Sequence, residues 1–222
     1  MDNALMVFLK YPNPGQVKTR LAADIGKERA CFIYQALAEQ IVRHIFPVKP
    51  RTYEVGIFFT PADKEDEIKA WLNPLLSTIP GAYVQFISQE GNDLGDRISH
   101  AFKKTLQSYS HGKEDKMSSS RKAIIIGTDC PEIDAELIES AFEVLKEKDV
   151  VIGPCKDGGY YLIGMSRHMP DLFTGIDWST NRVFAQTIEK IQKKNLSCGI
   201  LKTLADIDRI EDLYGRKDSP LW

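Results

Sequence analysis

Apolar residues follow two rhythms along the chain. Some form short continuous runs, which read as strands buried on both faces; others recur every three or four residues, which reads as helix. The run at residues 4–10 (ALMVFLK) predicts a first strand, closed by Pro12, Pro14 and Gly15. Residues 18–46 then carry helical spacing through Leu21, Ile25, Ala30, Ile33, Leu37, Ile41 and Ile45, with an interruption at Gly26. A strand at 53–60 (YEVGIFFT), a short helix at 64–72, a strand at 83–87 and a helix over 93–109 follow. Residues 111–121, rich in Lys and Ser, read as an exposed loop. Beyond it the pattern gives a strand at 123–127 (AIIIG), a helix at 135–147, and strands at 150–153 and 160–165 around a Gly-Gly turn. A helix at 180–194, a short strand at 199–204 and a terminal helix at 210–214 complete the series. Strands alternating with helices predict one α/β domain over residues 1–222, its sheet covered by helices on both faces.

Composition narrows the function more than the fold. At 222 residues and 43% hydrophobic content, the chain can bury a core without a metal or disulfide staple. Its 31 acidic and 29 basic side chains leave a formal charge of −2, which excludes a whole-protein basic footprint for nucleic acid but allows a local cationic pocket. No apolar stretch approaches the roughly 20 residues of a membrane helix. The start, MDNA, lacks the cationic region of a signal or transit peptide, so a soluble cytoplasmic protein is expected. Cys31, Cys130, Cys155 and Cys198 are scattered without a C-x-x-C pair, and this spacing predicts neither a disulfide framework nor a zinc cluster. His44, His100, His111 and His168 show no metal-binding spacing, and there is no G-x-S-x-G elbow of an α/β-hydrolase.

Ligands of open α/β sheets gather at the carboxyl ends of the strands, and three predicted strand ends carry unusual residues. The first is KYPNPGQVKTRL at 10–21, where a rigid loop delivers Lys18 and Arg20 to a helix start, suited to phosphate. It is not a P-loop, because Val17 stands where Walker A requires glycine before Lys-Ser/Thr. A surface loop with solvated cations is the competing reading. The second is GTDCP at 127–131, where Asp129 is placed to hold a divalent cation against a diphosphate or, alternatively, to cap the following turn. The third is GPCKDGGYYLIG at 153–164. There Gly158 and Gly159 permit close backbone approach, and Asp157 accepts from an acceptor hydroxyl, joins a metal shell, or simply makes an Asp-Gly hairpin turn. Tyr160 and Tyr161 alternate faces, which puts at least one in the core. Weaker signals are QEGNDLGDR at 89–97, whose Gly91 and Gly95 approach a ligand or make a turn, and the D-x-D of Asp206 and Asp208, a spacing many sugar-nucleotide enzymes use for metal but one that near a terminal helix reads more often as a cap.

Taken in order, these motifs, together with LGDR at 94–97, WST at 178–180, and DID with EDL at 206–213, resemble the glycosyltransferase-like proteins of the DUF2064 group. That group is related to the archaeal-type 2-phospholactate guanylyltransferases, and the resemblance runs from about residue 4 to 213. It implies a GT-A fold, the Rossmann-like mixed sheet of the nucleotide-diphospho-sugar transferases. By the same resemblance Lys10, Gly15, Lys18, Arg20 and Gly127 face the nucleotide, and Lys18 and Asp157 are the catalytic candidates. Asp129 takes the metal position, with Asp157 beside it, and Mg²⁺ or Mn²⁺ is the expected cofactor. Arg97, Gly158, Gly159 and Trp178 fall on the acceptor side. The loop at 10–21 departs from the Gly-rich opening of sugar nucleotidyltransferases, and GTD lacks a literal D-x-D.

The expected activity is transfer from a nucleotide-diphospho-sugar to a small acceptor, with cations stabilising the diphosphate leaving group. One alternative is nucleotidyl transfer to a phosphorylated acceptor, which releases pyrophosphate and needs a second cationic pocket from Lys156, Arg97 or Arg182. Another is a nucleotide- or partner-binding module without turnover, with Trp178 as a homodimer contact. The expectation places Lys10, Lys18 and Arg20 on one wall of the site, with Asp129 and Asp157 on the other.

Overall fold

The computed structural model describes residues 2–47, 51–107 and 121–214. The predicted loop at 111–120 and the predicted helix end at Tyr109 lie outside the described residues. Seven strands form one sheet: β1 (Asn3–Lys10), β2 (Tyr53–Thr60), β3 (Val84–Ser88), β4 (Lys122–Ile126), β5 (Val150–Pro154), β6 (Tyr160–Met165) and β7 (Cys198–Ile200). Their order is β3-β2-β1-β4-β6-β5-β7. β1, β2, β3 and β4 are parallel, β6 runs against both β4 and β5, and β7 is parallel to β5. Because β6 opposes both neighbours, β4 and β5 point the same way and end at the same edge as β1.

Why the strand runs are continuously apolar is visible in β1. Leu5, Val7 and Leu9 enter a core on one face, while Met6 enters a second core on the other. Helices α2 (Lys27–His44), α3 (Glu65–Leu76) and α5 (Ala135–Val144) cover the first face through residues such as Ile41, Leu72 and Phe142. Helices α4 (Leu94–Gln107) and α6 (Val183–Lys193) cover the second through Ile98, Phe102 and Ile191. The α/β expectation therefore holds, and helix α1 (Thr19–Ile25) is separated from α2 at Gly26 as predicted. Among the described residues, no helix is long and apolar enough to cross a membrane.

Several boundaries differ from the sequence pattern. The strand predicted at 199–204 is only Cys198–Ile200, and the helix predicted at 135–147 ends at Val144. Two further helix boundaries have a clear cause. α3 runs through Pro74 instead of stopping near 72, because Leu75 and Leu76 are buried in the core, and that burial outweighs the lost hydrogen bond. α6 starts at Val183, not at 180, because the Thr180 hydroxyl donates to the Asp177 carbonyl at 2.7 Å and holds a turn.

The C-terminal segment sets up the site. Ile207 and Leu213 pack with Leu21, Ile33 and Leu37, clamping the chain end onto α1 and α2. Ile207 N–H also donates to the Asp129 carbonyl at 3.0 Å. Residues from the far end of the sequence thus arrive beside the loop after β4, ahead of a last short helix, α7 (Glu211–Tyr214).

Candidate functional site

β1 pairs with β2 on one side and β4 on the other, so the connection direction reverses between β1 and β4. Ligands of open sheets bind at such a point, outside the strand carboxyl ends. A cleft of about 510 Å³ opens there, a size ordinary for a small-molecule site. Lys10, Lys18, Arg20, Gly127, Asp129 and Asp157 line it, joined by Arg97, Gly159, Trp178 and Asp208. The sequence-derived candidates therefore converge, with two exceptions. Gly15 packs against the aliphatic chain of Lys27, and Gly158 packs against the Asn181 backbone; neither lines the cleft.

Lys18 organises the cationic side. Val17 is buried against Cys31 and Tyr34, which anchors the loop, and Lys18 follows in the left-handed region at φ 47°, ψ 47°. A non-glycine residue there carries about 1 kcal/mol of strain, and such positions collect at functional sites. Of the three described non-glycine residues with positive φ, Lys18 and Ser179 both line this cleft. The Lys18 side chain is only 2% exposed; its ammonium pairs with Asp129 and, at 3.1 Å, with Asp208. Burial alone would lower its pKa, but the two carboxylates outweigh that and hold it above the usual lysine value. Arg20 reaches the other oxygen of Asp208 at 3.2 Å.

This corrects the two-wall expectation. Lys18 and Arg20 do not face the carboxylates across an open cleft; they are salt-bridged to Asp129 and Asp208. It also decides the capping question. α5 is capped by Asp134, which accepts from Leu137 N–H at 2.8 Å, leaving the half-exposed Asp129 carboxylate in the cleft. The reading of Asp206 and Asp208 as caps fails as well: the cap-like contacts come from Asp212, which accepts from the N–H groups of Asp208 and Arg209. D-x-D was the signal for these residues, and its place near the terminal helix hid it. Tyr34 is a further cleft residue that the sequence did not single out. Its hydroxyl accepts from Lys10 N–H at 2.7 Å and donates to the Lys10 carbonyl at 3.1 Å, fixing the end of β1.

Asp157 makes the Asp-Gly turn, one oxygen accepting from Gly159 N–H at 2.8 Å, and stands in the cleft near the other carboxylates. Asp206 lies close by; burial, then the charges of Asp157 and Asp208, push its carboxyl up to about 6. Cys130 and Cys155 sit beside this group with Sγ atoms 3.6 Å apart. Cys130 is held well above the usual thiol range by the Cys155 contact, by burial and by the charges of Asp129 and Asp206.

Trp178 packs edge-on to Tyr160 at 6.4 Å between ring centroids and lines the cleft. Of the three candidates for a second cationic pocket, Arg182 is paired with Asp177 at 3.0 Å and only Arg97 lines the cleft. Arg97 also borders a second recess of about 360 Å³, along with His100, Lys103 and Lys104.

Three carboxylates at one end of the cleft, only partly neutralised by Lys18 and Arg20, suit a hard divalent cation such as Mg²⁺.

Known proteins were compared with this geometry in hand. The model of the DUF2064 family, described as "uncharacterized protein conserved in bacteria", matches residues 48–180. No curated protein matches the chain. A solved structure from Desulfovibrio desulfuricans G20, described as a "putative nucleotide-diphospho-sugar transferase", is 31% identical with a TM-score of 0.81, covering 99% of this chain and 89% of that one. A 4-diphosphocytidyl-2C-methyl-D-erythritolsynthase from Anaerococcus prevotii DSM 20548 is 10% identical with a TM-score of 0.52, covering 97% of each chain. A cytidylyltransferase from Leptospira borgpetersenii serovar Hardjo-bovis is 13% identical with a TM-score of 0.53, covering 96% of this chain and 84% of that one. The last two share the fold alone, the GT-A-like, Rossmann-type architecture. The family match over more than half of the sequence, and the 31% identity over nearly all of it, show that the chain belongs to the DUF2064 family.

Proposed function

We propose that the protein is a transferase that uses a nucleotide-diphospho-sugar and a divalent cation to glycosylate a small acceptor. The observation that carries this reading is the Asp129–Lys18–Asp208 cluster at the strand ends, set in a cleft of nucleotide size. The description of the Desulfovibrio relative supports the same substrate class. Asp129 and Asp208 would hold the cation, and when bound it supplies charge neutralisation for the departing nucleoside diphosphate. Lys18 fixes those carboxylates and brings a positive charge to the phosphate side. Lys10 and Arg20 line the same side, and Gly127 leaves open space where a side chain would stand, so phosphate oxygens can approach the backbone. Asp157 faces the acceptor as hydrogen-bond acceptor for the attacking hydroxyl and takes its proton. Gly159, Trp178 and Arg97 also line the cleft.

One observation favours a second reading. The recess bordered by Arg97, His100, Lys103 and Lys104, with Glu90 paired to Lys104 at 3.4 Å, offers Arg97 and Lys103 to an acceptor phosphate, as nucleotidyl transfer requires. Product analysis separates the two. The protein is incubated with nucleotide-diphospho-sugars, or with nucleoside triphosphates and phosphorylated small molecules, in Mg²⁺ and in Mn²⁺. Nucleoside diphosphate release from the sugar nucleotides is expected. Pyrophosphate release from triphosphates alone would transfer the assignment to nucleotidyl transfer, and no product from either set would leave a binding module.

A further inference from the structure

Sequence spacing argues against a metal cluster built on cysteine, yet the fold brings two distant cysteines together. Cys130 Sγ and Cys155 Sγ lie 3.6 Å apart, and Cys155 Sγ, an Asp157 oxygen and an Asp206 oxygen all lie within 4.8 Å of one another. We propose that Cys155, Asp157 and Asp206, with Cys130 beside Cys155, form a binding site for a thiophilic divalent cation of the zinc type, next to the Asp129–Asp208 pair, a site whose occupancy takes Asp157 from its role as base.

Geometry carries the first part of the argument. With metal–sulfur bonds of about 2.3 Å at the tetrahedral angle, two thiolates on one ion sit about 3.8 Å apart, close to the observed separation. Cys155 Sγ, an Asp157 oxygen and an Asp206 oxygen already share one 4.8 Å neighbourhood, and Cys130 adjoins it through Cys155. Backbone bonds already hold the four ligands together. Lys156 N–H donates to the Leu204 carbonyl at 3.0 Å, Leu204 N–H to the Pro154 carbonyl at 3.0 Å, and Ile207 N–H to the Asp129 carbonyl at 3.0 Å. Cys130 is 1% exposed at the closed end, whereas Asp157 is exposed and gives an ion its way in.

Charge carries the second part. Two close thiols are also the starting point for a disulfide, but that chemistry needs a thiolate. Asp129 and Asp206 place negative charge beside Cys130, which opposes a thiolate there and so opposes oxidation. A divalent cation reverses the sign of that field and stabilises both thiolates and both carboxylates at once. Sulfur in the donor set selects zinc-like ions over Mg²⁺, which prefers an all-oxygen shell. On binding, the two S–H bonds break, both protons go to solvent and two metal–sulfur bonds form, with no change in oxidation state.

The test uses the full chain, reduced and stripped of metal, with Co²⁺ as the probe and no nucleotide present. The expected spectrum has the visible bands of four-coordinate cobalt and a thiolate-to-cobalt charge-transfer band. Equimolar Zn²⁺ should abolish both, and excess Mg²⁺ should leave them. Cys155→Ser should weaken the charge-transfer band and weaken Zn²⁺ by more than about 100-fold. Asp157→Asn should weaken Zn²⁺ while leaving both thiols in place, and Asp208→Asn should leave the spectrum intact. Near-ultraviolet circular dichroism checks that each variant is folded. A six-coordinate spectrum without the sulfur band, unchanged Zn²⁺ affinity in Cys155→Ser, or closure of the thiols to a disulfide in the presence of Zn²⁺, read as a loss of two hydrogens by mass, would overturn the proposal. Because no nucleotide enters the experiment, its failure leaves the proposed transferase activity untouched.

Discussion

A lysine buried to 2% exposure keeps its charge only where carboxylates outweigh the loss of water, and Lys18 is held by two of them. The residue type and its place after a rigid loop were legible in the sequence. Its partner Asp208, 190 positions away, was not, since only the packing of Ile207 and Leu213 on α1 and α2 brings that segment back. The same holds for Cys130 and Cys155, which look isolated until β4 and β5 are set parallel with β6 between them. Removing the ammonium in Lys18→Met leaves Asp129 and Asp208 facing each other. Both carboxylates keep contact with water, so the cost is put at about 1–3 kcal/mol rather than the full penalty of a buried charge. Thermal unfolding with and without Mg²⁺ checks this: the ion should restore more stability in Lys18→Met than it adds to the wild type. Equal shifts in both would mean that the carboxylates do not bind the ion.

Elements were easier to read than their connections. The alternation of apolar runs and helical spacing located the strands and the main helices because both faces of the sheet are buried, so the pattern is set by packing that each segment carries in its own sequence. How the last strands interleave was not legible, since an antiparallel β6 between two parallel neighbours leaves no local mark. Two contacts hold that half of the sheet and the adjoining cleft loop in place. The Asp149 carboxylate, at the start of β5, accepts from Ser197 N–H at 2.9 Å and from the Ser197 hydroxyl at 2.8 Å, just before β7. These bonds, helped by Arg167, hold its carboxyl below the usual aspartate value. A depressed folded-state pKa contributes stability above the unfolded value, and that contribution is lost as pH falls through the folded one. Stability should therefore drop below about pH 4, and Asp149→Asn should flatten that part of the urea-denaturation profile. The second contact is at Gly158, where φ is +90° and a Cβ would stand 2.2 Å from the Asn181 carbonyl oxygen. Gly158→Ala should cost about 1–3 kcal/mol by chemical denaturation and push the Trp178–Thr180 loop from the cleft, lowering activity beyond what unfolding explains.

For the whole molecule, a formal charge of −2 hides a local separation. Carboxylates collect at one end of the main cleft, around Asp129, Asp157, Asp206 and Asp208, while Arg97, His100, Lys103 and Lys104 border the recess beyond α4. Nothing in the composition reveals this, because opposite local excesses cancel in the total. On the proposed function, the main cleft binds a nucleotide diphosphate through a divalent cation at Asp129 and Asp208. Isothermal titration tests it most directly, with a panel of nucleotide-diphospho-sugars differing in base, run with Mg²⁺ and with chelator, on the wild type and on Asp129→Asn. At least one member should bind the wild type in Mg²⁺ and weaken by more than about tenfold, or 1.4 kcal/mol, both on chelation and in Asp129→Asn. Binding of equal strength under all these conditions, or no binding by any member of the panel, would contradict the account.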